Sequence, residues 1–345
     1  MMFFCRSLML FDRARRWGSA LAGLSLFLCL SLAITASVAA EPSEPRSPLN
    51  LALQWKPQSQ FAGFYLARDK GFYRDAGLDV TLLHGNSRKS ALSMLEDGQA
   101  DLATASLIDA LAKSPNFGLV LQLVRRSNLM LIGWKEKGIK DVVSLDQQKI
   151  SHWEGGYSLT FEMFFVKNRI HPQVIPQNYS INLFLQRGVA ACAAMEYNEY
   201  HLLAQAGINP DQVTTFLMRD YGLGFPEDGL YAKADWINHH GKTALAVRRA
   251  TLAAWEYARN HPEEALDIVI AEARRAKVPV NRSHERWMLR HILDSIFVPG
   301  ESPERVGTLS PSEFQASAQA LVDAGHLKNP PSFLRFAPFE KEEGR

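Results

Sequence analysis

Apolar and polar positions follow two alternating periods along the chain. Residues 49–53 alternate like a strand, and residues 61–70 carry apolar side chains at helical spacing before Gly71. The same succession then repeats as a strand, a helix and a short strand, at residues 78–83, 87–97 and 100–104. Strands that alternate with helices predict an α/β domain around a largely parallel sheet.

A second alternating set follows two longer extended segments, residues 119–124 and 129–134. Residues 135–140 are polar and contain glycine, which favours a crossing into a second domain. The second set has a strand, a helix and three shorter segments, at residues 149–153, 159–168, 178–182, 183–187 and 190–195. From residue 236 the pattern is helical, with helices predicted at residues 242–260, 262–273 and 286–296.

The pattern therefore predicts two α/β lobes after a flexible lead-in at residues 41–48. Residues 49–134 and 226–345 form the first lobe, and residues 135–225 form the second. Clefts between domains are preferred ligand sites, so we expect a ligand in the cleft between these lobes.

The first forty residues have the plan of an export signal. A cationic stretch ends at Arg15 and Arg16, an apolar run covers residues 21–34, and small residues end at Ala40. This order predicts a secretory signal peptide, cleaved after Ala40, and therefore an exported protein. The apolar run of about fourteen residues is shorter than the roughly 20 that span a bilayer.

The charge balance does not suit a nucleic-acid partner. The chain has 38 Lys+Arg against 36 Asp+Glu, and removing the leader, with its four arginines and one aspartate, leaves 34 basic and 35 acidic side chains. No basic excess remains to neutralise a phosphate backbone.

The cysteine and histidine pattern predicts neither a disulfide nor a metal site. Cys5 and Cys29 lie in the leader, so the mature chain retains only Cys192, in a run of small apolar residues typical of a buried thiol. No zinc-ligand spacing occurs, and no cofactor is expected. The common hydrolase, phosphate-loop and zinc-protease motifs are also missing from the sequence, which favours binding over catalysis.

Candidate binding residues of the first lobe follow its predicted strands, since ligands bind at the carboxyl ends of parallel strands. Trp55 follows the first strand and precedes a polar loop, and it either contacts the ligand or packs in the core. Phe61 and Tyr65, four residues apart, either wall an aromatic slot or pack in the core. Ser106 and Asp109 follow the third strand and offer a hydroxyl and a carboxylate to the cleft, although Ser106 also suits a helix cap.

In the second lobe, Gly155 and Gly156 lie between a strand and a helix, flanked by Trp153 and Tyr157. A glycine pair lets backbone amides approach a ligand closely or meet an anion at the helix start. Many ordinary turns also use two glycines, so a simple turn is the alternative interpretation.

Residues 195–200 bring together Glu196, Tyr197 and Glu199 after a strand of small residues. Acidic residues at a solvated helix start explain this pattern as well. A carboxylate beside aromatic rings is also what a cationic or amino-bearing heterocycle requires. Tyr221 lies in a glycine-rich aromatic loop, residues 220–226, that is a candidate hinge.

Several short motifs resemble the amino-terminal signature of one superfamily, the thiamine-pyrimidine-synthase-like proteins, which also includes sulfonate and nitrate binders of ABC importers. The matching segments are residues 53–57, 63–67, 70–73, 76–80 and 98–102. Residues 196–200 and 220–222, and the tail around Trp255, resemble the pyrimidine-precursor branch of the superfamily.

The resemblance implies a type II periplasmic binding protein fold, with two lobes whose central sheets are mainly parallel. The lobes close on a small molecule and deliver it to an ABC permease in the inner membrane. In the pyrimidine branch the ligand is similar to a formyl-aminopyrimidine that is stacked on aromatic rings and held by a carboxylate. By that resemblance Trp55, Tyr197, Glu199 and Tyr221 bind the ligand, and we expect a monomer.

Two other functions occur among similar proteins. Fungal members are synthases that consume pyridoxal phosphate and a histidine of their own chain. They need a lysine and a histidine where this chain has Ala105 and Asp109, a further histidine at Phe61, and a cysteine-rich motif, for which only Cys192 is present. These departures count against synthesis. Related domains also act as sensory inputs to a separate membrane kinase or cyclase.

Overall fold

The structure is a computed structural model that describes residues 47–85 and 89–340. The predicted signal peptide, residues 1–40, lies outside the described residues. The flexible lead-in that we expected up to residue 48 ends earlier, because Ser47 and Pro48 already pair with Leu78 and Asp79 in a parallel strand pair.

Within the described residues, ten strands form two five-stranded sheets. The first sheet contains β1 (Ser47–Leu53), β2 (Leu78–His84), β3 (Leu102–Ala105), β4 (Phe117–Val124) and β10 (Glu227–Lys233). The second sheet contains β5 (Leu129–Trp134), β6 (Lys149–Trp153), β7 (Gln173–Gln177), β8 (Ala191–Met195) and β9 (Val213–Leu217). The strand orders are β2-β1-β3-β10-β4 and β7-β6-β8-β5-β9.

Helices connect these strands and fill the carboxyl-terminal third of the described chain. They are α1 (Ala62–Asp69), α2 (Phe72–Asp75), α3 (Ala91–Glu96), α4 (Leu107–Lys113), α5 (Ser158–Lys167), α6 (Asn182–Leu185), α7 (Glu199–Gln205), α8 (Ala234–His239), α9 (Gly241–Asn260), α10 (Pro262–Arg275), α11 (Arg282–Ile296), α12 (Pro311–Asp323) and α13 (Phe333–Phe336). None of those in the described part of the chain has the length and apolar character that crossing a membrane requires.

Local sequence explains where several helices begin. The Ser106 hydroxyl accepts a hydrogen bond from the Asp109 amide at 3.1 Å and so caps α4. Ser310 and Glu313 form a reciprocal capping box at the start of α12. Pro262 occupies the first turn of α10, where its missing N–H costs no helical hydrogen bond.

Each sheet runs mainly in one direction and contains one reversed strand. In the first sheet β1 is parallel to β2 and β3, whereas β10 is antiparallel to β3 and β4. In the second sheet β6 is parallel to β7 and β8, whereas β5 is antiparallel to β8 and β9. The two reversed strands are the first ones after the chain changes sheet. The largely parallel sheets that we expected therefore each carry one exception.

The chain changes sheet earlier than the sequence pattern indicated. We expected residues 129–134 in the first lobe, but they form β5, which pairs with β8 and β9 of the second sheet. The change lies between Val124 and Leu129. The polar residues 135–140, which suggested the boundary, instead contain the turn that leaves β5.

Proline explains a shifted strand. An element that we expected at residues 178–182 is preceded by β7, which contains Pro176. Because β7 lies at the edge of the second sheet, the missing N–H of proline is tolerated there, but it obscures the strand pattern in the sequence.

Two apolar cores hold the sheets. The larger one surrounds the first sheet with α1, α9 and α10 and continues into the second sheet through Trp153 and Phe164. The smaller one contains Trp134, which stacks on Phe184 at 4.4 Å between ring centroids and an interplanar angle of 9°.

Close packing of α1 on α9 yields a test of this core. A Cβ atom at Gly63 would lie well inside contact distance of the Trp255 indole, which is 1% exposed. We expect Gly63→Ala to lower the free energy of unfolding by about 1–3 kcal/mol, since overpacking outweighs the gain in helix propensity. Urea denaturation measures the change. Gly241→Ala is the matched control, since its Cβ would meet open space; equal effects of both substitutions would refute the packing argument.

Candidate functional site

A cavity of about 690 Å³ lies between the two sheets. Its walls come from segments that follow β1, β3, β6 and β8, as the rule for carboxyl ends of strands predicts. Residues of both sheets and of the segments that follow their strands therefore line one cavity.

Aromatic rings line one side of this cavity. The ring centroid of Trp55 lies 6.1 Å from that of Trp153 at an interplanar angle of 76°, and 4.6 Å from that of Tyr179 at 69°. Trp153 in turn lies 6.3 Å from Tyr157. Edge-to-face contacts of this kind hold the rings in fixed orientations. His84 supports the loop from behind, with its Nδ1 at 2.6 Å from the Trp55 carbonyl oxygen.

Glu199 provides a buried carboxylate at the start of α7. Its Oε2 accepts a hydrogen bond from the Met195 amide at 2.9 Å, and its Oε1 accepts one from Asn198 Nδ2 at 2.9 Å. The side chain is 5% exposed, and burial raises its pKa to about 7. Near neutral pH this group can therefore be either protonated or ionised.

Asp109 joins the two sides of the cavity. Its Oδ2 accepts hydrogen bonds from the Ser106 hydroxyl at 2.5 Å and from the Tyr157 amide at 3.0 Å. Asp109 lies on α4 beside the first sheet, whereas Tyr157 precedes α5 beside the second. Burial raises the pKa of Asp109 to about 6, although these two donors act in the opposite direction. Ser106 thus both caps α4 and faces the cavity.

Asp228 lies behind the cavity wall, near the start of the reversed strand β10. It accepts hydrogen bonds from Gln60 Nε2 at 3.0 and 2.9 Å, from Gln54 Nε2, and from the Tyr157 hydroxyl at 3.4 Å. Burial raises its pKa to about 6. Its φ of 52° is unusual for a residue other than glycine.

Glu227, the preceding residue, contacts the segment that connects the two sheets. Its carboxylate accepts hydrogen bonds from the Ser127 hydroxyl at 2.6 Å and from the Asn128 and Leu129 amides at 3.0 and 3.2 Å. Burial raises its pKa to about 7. Glu227 therefore ties the start of β10 to the segment by which the chain leaves the first sheet.

The structure brings most of the predicted site residues to the cavity wall: Trp55, Ser106, Asp109, Trp153, Gly155, Gly156, Tyr157, Tyr197 and Glu199. The amide of Tyr157, in the glycine loop that suggested an anion site, already donates to Asp109. An internal carboxylate therefore occupies this donor.

Four predicted residues lie elsewhere. Phe61 and Tyr65 are core residues, at 1% and 0% exposure, and their rings pack on His84 at 6.2 and 6.0 Å. Of the two interpretations that the sequence left open, core packing is therefore the observed one. Glu196 accepts a hydrogen bond from Arg219 Nη1 at 2.8 Å. Tyr221 packs edge-on against Phe164 at 5.0 Å.

Several polar lining residues were missed by the sequence reasoning. Gln54, Gln58 and Gln60 line the cavity from the loop after β1, and Asn198 lines it beside Glu199. The first three lie in or beside the polar loop that drew attention to Trp55, so their proximity was a usable signal. Asp228 carried no such signal. It lies near the start of β10, which runs antiparallel to its neighbours, whereas the expectation that ligands bind at the carboxyl ends of strands applies to parallel strands.

The described part of the cavity wall has little positive charge. Its basic or titratable nitrogen side chains are Lys113 and His326, both exposed. Lys113 pairs with Glu96 at 2.8 Å, and His326 lies 3.8 Å from Glu162. In residues 47–85 and 89–340 no group of three or more His, Cys, Asp or Glu is placed to hold a metal ion.

Comparisons with known proteins agree with this architecture. A family model described as NMT1/THI5 like matches residues 58–265. Formylaminopyrimidine-binding protein from Halalkalibacterium halodurans is 21% identical over 297 residues, covering 80% of this chain and 86% of that protein.

Solved structures of low sequence identity share the fold. The alkanesulfonate-binding protein SsuA from Xanthomonas axonopodis pv. citri, bound to MOPS, gives a TM-score of 0.60 at 16% identity, covering 87% of this chain and 98% of that one. The periplasmic nitrate-binding protein NrtA from Synechocystis PCC 6803 gives 0.59 at 17% identity, with 84% of each chain covered. The α/β two-lobe fold of periplasmic binding proteins is thereby confirmed.

The raised pKa of Glu199 predicts how stability depends on pH. Between about pH 4.5 and 7 the folded protein holds more protons at Glu199 than the unfolded chain does, so this group's contribution to the free energy of unfolding falls as the pH rises. We expect the free energy of unfolding of wild type, relative to that of Glu199→Gln, to fall by about 3 kcal/mol from pH 4.5 to 7.5. Urea denaturation at each pH measures this difference.

Glu263→Gln is the control for this experiment. Arg286 and Arg282 lower the pKa of the exposed Glu263 to about 2, so its contribution is lost only as the pH falls below about 4.5, in the opposite sense. A pH-independent difference for Glu199→Gln would contradict the assigned burial effect.

Proposed function

The chain belongs to the NMT1/THI5-like family, as its motifs indicated, and on that premise we propose that it is a periplasmic solute-binding protein of an ABC importer. The ligand that we propose is a small amino-bearing heterocycle of the thiamine-pyrimidine-precursor kind. Residues around the first sheet form one lobe, those around the second sheet form the other, and the protein acts as a monomer that delivers its ligand to an inner-membrane permease. The export pattern of residues 1–40 supports this location.

The observation that carries this proposal is the buried carboxyl group of Glu199 beside aromatic rings. An aminopyrimidine presents N–H donors next to ring nitrogen acceptors. With a pKa of about 7, Glu199 can accept from an amino group and, when protonated, donate to the neighbouring ring nitrogen. Trp55, Trp153 and Tyr197 supply aromatic surface for a flat ring. The name of the formylaminopyrimidine-binding relative agrees with this chemistry.

The same wall disfavours an anionic ligand. Sulfonate or nitrate needs donors and positive charge, but Glu199 and Asp109 bring two carboxyl groups to this wall, and the Tyr157 amide is already occupied. Lys113 and His326, the basic groups of its described part, are exposed. This chain therefore shares its fold with sulfonate and nitrate binders but, in this proposal, does not share their ligands.

The residues do not support synthesis of the pyrimidine. Ala105 and Asp109, where the resemblance calls for lysine and histidine, both line the cavity, and neither can form an imine with pyridoxal phosphate or supply an imidazole. Cys192 is buried inside the second sheet. We therefore propose binding without catalysis.

A ligand panel tests this function directly. We expect the melting temperature of residues 41–345 to rise with 4-amino-2-methylpyrimidines and to stay unchanged with sulfonates, nitrate and pyridoxal phosphate. A ligand at about 1,000 times its Kd adds roughly 4.1 kcal/mol, which gives a clear shift. By titration calorimetry, Glu199→Gln should weaken aminopyrimidine binding about tenfold or more.

Glu196→Gln is the matched control for Glu199→Gln, since Glu196 pairs with Arg219 away from the cavity and should leave affinity unchanged. A rise in melting temperature with an anion alone would overturn the proposed ligand class. A rise with pyridoxal phosphate would favour the synthase.

Asp109 gives a separate test of anion exclusion. Asp109→Ala removes a negative charge and releases the Tyr157 amide near the start of α5. We expect alkanesulfonates to raise the melting temperature of this variant but not that of wild type. Asp79→Ala, an exposed change on β2, is the control. If sulfonates leave both variants unaffected, Asp109 does not determine exclusion.

A further inference from the structure

A continuous line of hydrogen bonds leads from α11 to the cavity carboxyl group. His284 Nε2 donates to Asn198 Oδ1 at 2.9 Å. The amide of Asn198 then donates from Nδ2 to Glu199 Oε1, also at 2.9 Å. The orientation of Asn198 is therefore set from both ends, because its oxygen faces a donor and its nitrogen faces an acceptor.

The protonation state of His284 is set in the same way. Its Nδ1 lies 2.9 Å from His201 Nδ1. Since Nε2 of His284 is the donor to Asn198, Nδ1 of a neutral ring carries the lone pair and accepts from His201. The His201 ring stacks on Trp287 at 4.5 Å with an interplanar angle of 6°, which holds it in place.

Burial, assisted by nearby basic side chains, keeps His284 neutral at physiological pH. Burial, followed by the proximity of His201 and Lys56, lowers its pKa to about 4. His201 faces it from α7, Lys56 from the loop after β1, and Glu285 is its neighbour on α11. Glu285 is itself buried and engaged with the Ser59 amide at 2.7 Å.

The two ends of this line belong to different sides of the cleft. Glu199, Asn198 and His201 follow β8 of the second sheet. His284 lies on α11, which packs on the loop after β1 and on β4 of the first sheet. The line is therefore complete only when the two sides are together, as they are here.

We propose that His284 is a positioning residue for Glu199: acting through Asn198, it fixes the carboxyl group for ligand recognition and couples that orientation to closure of the cleft. The proposal rests on the proposed function, in which Glu199 contacts the ligand.

A double-mutant cycle tests the coupling, with 4-amino-2-methyl-5-hydroxymethylpyrimidine as the probe and calorimetry as the readout. His284→Leu should weaken binding about tenfold in the wild-type background, but less than about threefold in the Glu199→Gln background. His284→Gln, whose side-chain amide can still donate to Asn198, should retain more affinity than His284→Leu. Equal losses in both backgrounds would show that His284 acts independently of Glu199 and would overturn the proposal.

A second measurement needs no ligand and so separates this proposal from the proposed function. Protein labelled with ¹³C at the glutamate carboxyl groups is titrated by NMR, with Glu199→Gln identifying the resonance. Losing the Asn198 donor should raise the pKa of Glu199 further in His284→Leu, while His239→Leu, an exposed change on α8, should leave it unchanged. An unaltered Glu199 titration in His284→Leu would refute the positioning role even if the probe binds. A raised one would support it even if the probe does not bind wild type.

Discussion

Two carboxylates beside the first sheet accept hydrogen bonds from one tyrosine beside the second sheet. The arrangement of the cavity wall depends on these contacts. Asp109 accepts from the amide of Tyr157, and Asp228 accepts from its hydroxyl. Buried carboxylates are costly unless they are hydrogen-bonded, so these contacts are strongly favoured once water has left the cleft. They also hold the loop after β6 against α4, at the wall of the cavity between the sheets.

The buried carboxyl groups also determine which ligands the cavity can bind. Burial raises the pKa values of its carboxyl groups, Asp109 and Glu199, whereas the hydrogen bonds that they accept from amides and hydroxyls of the protein act in the opposite direction. A ligand that brings N–H donors adds hydrogen bonds to Glu199 without a charge penalty. An anion would bring a second negative charge into a low-dielectric space. The chemistry of the wall thus separates this chain from neighbours of the same fold.

The connection between the sheets is built from the same kinds of contact. Glu227 binds the amides of the segment where the chain leaves the first sheet, and it directly precedes Asp228. One dipeptide at the start of β10 therefore contacts both the crossing and the cavity. The line from His284 through Asn198 to Glu199 adds a third contact across the cleft.

The sequence by itself determined the order and type of most elements, the two-lobe α/β fold, and the cavity positions of Trp55, Asp109, Tyr157 and Glu199, because periodicity and strand-end position are local properties. It did not separate Phe61 and Tyr65 from lining residues, since an aromatic residue on a helix looks the same whether it faces a core or a cleft. Only the tertiary structure decided that β5 and β10 enter their sheets reversed. That reversal places Asp228 behind the cavity wall, and packing of α11 on α7 brings His284 to Asn198. These contacts join residues tens to more than a hundred positions apart, and no local pattern records which distant segments will meet.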